Sequence, residues 1–398
     1  MLSVEEAVAR VSAAFKRRAC ESVPIHEASG RVLGEDAAAK TDQPPASMSA
    51  MDGYALRAED VDATPKDFVV IGEAPAGSPY VGTVSKNEAV RIFTGGVVPD
   101  GADSIVIQED TEKSDNKVLI KEAPKPGQHV RLRGLDFSNG ETLLRKGHRL
   151  SARDIALLAA ADFATLNVIT KPRIGLVATG DELSRPGATR GPGGIVASST
   201  YALAAFSEKW GGTALDLGIL PDNVEAFAAL PAATNDVDLI VTQGGASVGD
   251  HDLVQRALKP LGFELDFWKI AMRPGKPLIF GRLNDTPLLG LPGNPVSAMV
   301  CAILFLRPAI AAMLGMGYVP TMTKARLSTA LNANGARQNY IRTKIISQDG
   351  LLTAEPFALQ DSAMQKIFAQ SDGLIVRAPG APAVAAGAEV DVLMLDEC

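Results

Sequence analysis

"TPLLGLPGNPVSAMVCAILFL", residues 286–306, joins an apolar strand-like run to an apolar helix-like run through a turn carrying two prolines three apart. The local reading puts Asn294 at the helix N-cap and Pro295 at the first helical position, where a missing N–H costs nothing. Unpaired backbone N–H groups at a helix start of this kind favour an anion lying before it. A tidy connection with no ligand fits the same stretch, so its neighbours must decide.

Working outward, the strand-then-helix rhythm runs back to residue 171. "RIGLVAT" (173–179), "TALDLGI" (213–219) and "DLIVTQ" (238–243) are short apolar runs, and helical stretches fall near 200–209, 223–233 and 252–259. Alternation of this kind predicts a mostly parallel sheet with crossover helices, an α/β domain over 171–320. Upstream, residues 1–40 read as helical, and the Pro-Pro pair of "TDQPPASMSAMDGYAL" (41–56) ends that pattern. "DFVVIG", "VRIF", "DSIVIQ" and "KVLIK", punctuated by Gly, Pro and Asp-Gly turns, predict a small β domain over 41–139. "LSARDIALLAAADF" (150–163) returns to helical spacing, with Ser151 a cap three residues before Asp154. The β domain is therefore expected to be inserted into a helical unit made of 1–40 and 140–170. Downstream, "RQNYIRTKIIS", "LLTAEPF", "GLIVRAP" and "AEVDVLML" predict a last β domain over 321–398.

The bulk composition bounds what such a chain does. Its 398 residues suit about three domains, and 46% hydrophobic with 21% charged residues describes a soluble globular protein. The start, "MLSVEEAVARVSAAFKRRAC", lacks a basic region followed by an apolar core, so a cytoplasmic location is expected. No uninterrupted apolar run approaches the ~20 residues of a membrane span, and no membrane partner is expected. Cys20, Cys301 and Cys398 are odd in number and scattered, which points to neither a disulfide framework nor a zinc site. Cys301, in the apolar helix, reads as core. A net charge of −7 argues against bulk attraction to nucleic acid, so an anionic substrate needs a local basic pocket.

In an open parallel sheet ligands sit beyond the carboxyl ends of the strands. "RIGLVAT" ends in "GDEL", placing Asp181 and Glu182 there; "DLIVTQ" ends in "GGASVGDHD"; "PLLGL" ends in "PGNPVS". Gly244, Gly245 and Gly249 let backbone approach a ligand, and Asp250 or Asp252 would cap the next helix. "FWKIAMRPGKPLIFG" adds Lys269, Arg273 and Lys276 on a Pro-Gly turn, an expected oxyanion rim. Asp181 and Glu182, placed opposite those cations, suit Mg²⁺, which is commonly held by one or two carboxylates plus substrate phosphates. A helix start that favours acids for its dipole would look the same.

Seven motifs in order make the combination specific. "SAMDGYA" (49–55), "RIFTGGVVP" (91–99), "RGLDFSNG" (133–140), "TGDEL" (179–183), "TQGGASVGDHD" (242–252), "MRPGKP" (272–277) and "GLPGNPVS" (290–297) resemble the MoeA-type molybdopterin molybdenumtransferases, the family that includes the gephyrin E domain. The resemblance covers essentially the whole chain. It implies a helical linking domain, an inserted β domain, a central molybdopterin-binding α/β domain and a C-terminal domain like a β-barrel. It also implies a homodimer that takes adenylylated molybdopterin and molybdate, uses Mg²⁺ and releases AMP and molybdenum cofactor. Transient contacts with the molybdopterin adenylyltransferase and with molybdoenzyme maturation factors would follow.

Carried over by motif, Asp52, Thr94 and Asp136 match functional positions of the inserted domain, which in the family reaches the partner subunit's site. Asp181, Glu182, Asp222, Asp252, Lys269, Lys276, Pro292 and Pro295 match the α/β domain's site, with Gly244, Gly245, Ser247 and Arg273 as substrate-binding positions. Ser297 and Lys276, with Arg337, Arg342 and Ser362, resemble the molybdate side. Arg273 stands where the family usually has Lys, "ASSTY" (197–201) lacks a common Asn, and Ala246 replaces a usual Val. A molybdopterin adenylyltransferase resembles the α/β domain but would not need the inserted and terminal β domains. A scaffold would keep the fold and could lose Asp52, Asp181, Lys269 and Lys276, all of which are present.

Overall fold

The computed structural model describes residues 1–233, 236–245 and 253–395. The chain folds into two compact units, one of 22–29 and 33–167, the other of 1–21, 30–32 and 168–398.

The first unit is built on a six-stranded sheet in the order Ser104–Ile107, Gly53–Leu56, Glu88–Ile92, Lys66–Ala74, Lys117–Ile120, Thr111–Ser114. All pairs are antiparallel except Lys66–Ala74 with Glu88–Ile92. Alternate residues serve opposite faces: Tyr54 and Leu56 pack with Phe68, Val118 and Ile120, whereas Ala55 packs with Val90, Ile92 and Ile105. Burial on both faces explains why the "IVI" of residues 105–107 is continuously apolar, with Ile105 and Val106 packing into opposite clusters. The expected helix near 150 spans Ala152–Ala160 and starts with a capping box in which Ser151 and Asp154 exchange hydrogen bonds. Helix over 1–40 is a misreading: the α-helix is only Val4–Ala13, and Cys20–Pro24 is a strand. Pro24 disfavours helical backbone at Val23 before it, which local charge spacing does not reveal.

The second unit contains a six-stranded sheet whose strands are numbered β1 (Arg173–Thr179), β2 (Thr213–Leu220), β3 (Leu239–Gln243), β4 (Phe263–Lys269), β5 (Pro277–Leu283) and β6 (Thr286–Leu291), in the spatial order β2-β1-β3-β6-β5-β4. The first four in that order are parallel, and β5 and β4 are antiparallel additions. The parallel strands end on one edge, so the loops after Thr179, Leu220, Gln243 and Leu291 converge there.

One continuous helical rod follows β6: α-helix Pro295–Cys301, a π-helical turn Ala302–Leu306 and α-helix Arg307–Met313. It shares a core with Ile174, Leu176, Val241, Leu289 and, from the first helix, Ala7 and Val11. Although Arg307 interrupts its apolar run, this 19-residue helix is by length and composition apolar enough to cross a membrane, and it is 89% buried inside the protein. Cys301 is fully buried in it, as expected.

Five strands, Met322–Leu327, Gln338–Gln348, Leu351–Pro356, Gly373–Arg377 and Glu389–Met394, close into a barrel because Gly373–Arg377 pairs with both Gln338–Gln348 and Glu389–Met394. Met322–Leu327 had no place in the expected strand set. Its sequence "MTKARL" is mixed, and only Ala325 and Leu327 are buried.

Candidate functional site: two cavities divided by one turn

The converging loops line a cleft of about 1000 Å³ that includes Thr179, Glu182, Asp222, Gly244, Gly245 and Pro295. Gly244 sits at φ 96°, and a Cβ there would lie 2.5 Å from the Thr179 carbonyl oxygen, so a side chain cannot be accommodated. Three expected acids meet on this side. Asp181 Oδ1 accepts the Asp222 backbone N–H at 3.1 Å. Burial, then the neighbouring Asp181 and Glu182 carboxylates, push the Asp222 carboxyl above its usual range. Among the described residues no group of three or more metal-binding side chains could hold an ion alone. Ser247 and Asp252, like Ala246, Gly249 and Asp250, lie outside the described residues.

The second cavity, of about 600 Å³, gathers Arg273, Lys276, Ser297, Arg337, Arg342 and Ser362. These residues come from the β4–β5 connection, the long helix and the barrel, yet every expected molybdate-side position is here. Arg342 is 3% exposed and donates through Nε to Gln360 Oε1 at 3.2 Å and through Nη1 to the Asp361 carbonyl at 2.9 Å. Burial lowers its pKa, although a guanidinium stays charged. Gly275, at φ 100°, seats the Arg273–Pro277 loop on the long helix, where a Cβ would lie 2.5 Å from Cys301 Sγ.

Lys269 departs from the expected rim. It does not line this cavity; its ammonium lies 3.5 Å from the centroid of the Trp268 ring, and its backbone pairs opposite Pro277. The acids and the remaining cations also do not share one pocket. Asn294 and Pro295 face the cleft, Ser297 faces the basic cavity, and the turn between them is the partition.

That turn also corrects the local reading of its helix. Asn294 is at the N-cap position, but its side chain makes no capping bond; Nδ2 donates instead to Ser362 Oγ at 3.0 Å. The Val296 N–H is taken by the Ser362 carbonyl at 3.1 Å, so the helix start offers fewer free donors than its sequence suggests. Pro292 is buried beneath the turn, which Gln243 Nε2 holds by donating to the Gly293 carbonyl at 2.6 Å. Gln243 was missed as a site residue, although its place between β3 and the Gly pair is the signal that would have found it. Tyr340 and Asp361, also on the wall of the basic cavity, carried no such signal.

In the first unit, Asp52 Oδ1 accepts both the backbone N–H and the hydroxyl of Thr94, at 2.7 and 2.8 Å. The Thr94 backbone bond, then its hydroxyl, hold the Asp52 carboxyl below its usual range. Asp136, in the same unit, is exposed, with its N–H bonded to the Gln43 carbonyl at 2.8 Å.

Known proteins with this sequence pattern and fold are consistent along the whole length. Residues 2–161 match the family model for the MoeA N-terminal region (domain I and II), 175–312 that for a probable molybdopterin binding domain, and 324–395 that for the MoeA C-terminal region (domain IV). A molybdopterin molybdenumtransferase of Nostoc sp. is 36% identical over 94% of this chain and 88% of its own. One from Haemophilus influenzae is 33% identical over 94% and 93%. The crystal structure of a molybdopterin biosynthesis MoeA protein from Pyrococcus horikosii superposes with a TM-score of 0.86 at 31% identity, covering 99% of both chains.

Proposed function

The chain belongs to the MoeA family of molybdopterin molybdenumtransferases, enzymes of molybdenum cofactor biosynthesis, and from that premise we propose how its two cavities divide the reaction. Adenylylated molybdopterin occupies the large cleft with its pyrophosphate toward Asp181, Glu182 and Asp222. Molybdate occupies the basic cavity, held by Lys276, Arg273, Arg337 and Arg342 with hydroxyls from Ser297 and Ser362. The observation that carries this reading is the gathering of Arg273, Lys276, Arg337 and Arg342 around one cavity, divided by the Pro292–Ser297 turn from a cleft that Glu182, Asp222 and a single arginine, Arg256, line. A net-acidic chain that concentrates four cations around 600 Å³ has built an oxyanion site.

Mg²⁺ fits the acidic side. Burial, and then the neighbouring Asp181 and Glu182 carboxylates, raise the Asp222 pKa; the repulsion among the three acids is one that a cation would relieve, with phosphate oxygens supplying its other ligands. When bound, it would neutralise charge developing on the departing AMP. Asp181 and Glu182 would hold it, while Gly244 and Gly245 let backbone approach the substrate. Lys276 and the arginines orient the oxyanion and balance its charge as it leaves water.

The wider setting is part of the same proposal: a cytoplasmic homodimer in which Asp52 and Thr94 of one subunit serve the partner's cleft, supplied by a molybdopterin adenylyltransferase. Mixing purified protein with adenylylated molybdopterin, molybdate and Mg²⁺ should release AMP and yield transferable molybdenum cofactor; AMP release without cofactor would reject the assignment. Asp52→Ala and Lys276→Ala homodimers should each be inactive. Subunit exchange between them should restore roughly a quarter of wild-type activity, since half the dimers are mixed and carry one intact site. No recovery after proven exchange would reject the shared site.

A further inference from the structure

Asn294 is the first residue of the long helix's cap, yet its side chain ignores the helix and crosses the partition to Ser362, 68 residues away. Asn294 lines the large cleft and Ser362 lines the basic cavity, so this 3.0 Å hydrogen bond passes through the wall between them. A serine hydroxyl has one proton to donate and lone pairs to accept with. When Asn294 Nδ2 donates to Ser362 Oγ, it occupies a lone pair and leaves the proton for another direction. Among the described residues no acceptor takes that proton, and the basic cavity is the space the serine borders.

We infer that Asn294 is a positioning residue: by donating to Ser362 Oγ it turns the Ser362 O–H into the basic cavity as a neutral donor to a bound tetrahedral oxyanion. The inference rests on the reading of that cavity as the oxyanion site. It does not rest on Asn294 holding the loop in place, because other bonds do that. The Asp361 carbonyl accepts from Arg342 at 2.9 Å, Asp361 Oδ1 accepts the Ala363 N–H at 2.8 Å, and the Ser362 carbonyl accepts the Val296 N–H at 3.1 Å. Beyond them, Gln365 Nε2 ties the segment to Ser198 Oγ at 2.8 Å. Removing the Asn294 side chain therefore frees a hydroxyl rotor rather than a loop.

The test is molybdate binding by calorimetry to the full-length protein, with steady-state KM for molybdate and for adenylylated molybdopterin as a second readout. Asn294→Ala should weaken molybdate about 3–10-fold, the weight of one oriented hydrogen bond, with no change in melting temperature and with a larger rise in KM for molybdate than in KM for the pterin nucleotide, whose cleft Asn294 also lines. Ser362→Ala should lose a similar factor, and the double variant should bind no worse than Ser362→Ala alone. Asn294→Asp removes the donor and supplies a carboxylate that captures the Ser362 proton, so it should bind more weakly than Asn294→Ala. Wild-type affinity in Asn294→Asp would mean that Ser362 donates to residue 294, and would overturn the inference. Additive losses in the double variant, or a loss confined to the pterin nucleotide's KM, would overturn it too. Failure of the underlying reading looks different: Lys276→Ala would then leave molybdate affinity unchanged.

Discussion

The two cavities on either side of the Pro292–Ser297 turn are lined by opposite balances of charge. The larger is lined by Glu182 and Asp222 with glycine backbone, and Arg256 is the one basic side chain among its described lining residues. The smaller presents Arg273, Lys276, Arg337 and Arg342 within 600 Å³. A polyanion in the first meets two carboxylates against one arginine, so an added cation would favour it, whereas an oxyanion in the second meets four cations already built into the fold. The difference teaches that charge composition must be read by cavity: a chain of net charge −7 carries both kinds of site a few residues apart.

The comparison breaks most visibly at Lys276. Loss of one charge-assisted contact, typically ~1.5–3 kcal/mol, should lower molybdate affinity in Lys276→Ala by roughly 10–150-fold while the melting temperature holds. An equal loss of nucleotide affinity would mean that the cavities are not distinct. Next, Asp181→Asn should raise the Mg²⁺ concentration for half-maximal AMP release about tenfold and leave the molybdate KM untouched. An unchanged Mg²⁺ titration would remove the cation from the acidic side.

A smaller effect sharpens the basic side. Gly275→Ala adds a Cβ at 2.5 Å from Cys301 Sγ on a backbone at φ 100°, so it should cost ~1–3 kcal/mol of stability in urea unfolding. Cys301→Ala in the same chain should recover part of that loss; no recovery would show that backbone strain alone is responsible. The smallest effect concerns pH. A carboxyl whose folded pKa is raised favours folding below its unfolded pKa, and that contribution disappears as pH rises through the folded value. Without divalent cation, wild type should therefore lose a little stability as Asp222 ionises, and Asp222→Asn should not. Melting curves across that range with and without Mg²⁺ check it, and added Mg²⁺ should flatten the wild-type curve alone.

Much of this was legible from sequence because it depends on local periodicity. β1, β3 and β6 were visible as short apolar runs, and the Ser151 capping box needs residues only three apart. The acidic side was half legible: Asp181 and Glu182 follow a strand directly, but Asp222 reaches them only because β2 pairs parallel to β1. Its place was available through family resemblance alone. Contacts set by tertiary structure could not be read at all. Asn294 satisfies every local rule for a cap, and it is drawn away by a serine that only barrel closure brings near. Lys269 has the spacing of the rim residues, and the aromatic face beside it wins instead.

The buried rod Pro295–Met313 has a consequence for how the protein is made. At 1.5 Å per residue it is about 28 Å long, and its composition is that of a membrane-spanning segment. A nascent chain exposing such a segment with nothing to cover it would be prone to aggregate or to engage a bilayer. Here all six strands of the central sheet, and the first helix that shares its core, precede it in the chain. They leave the ribosome first, so much of the surface that covers this segment precedes it, and Tyr340, Leu374, Leu393 and Leu395 complete the cover afterwards.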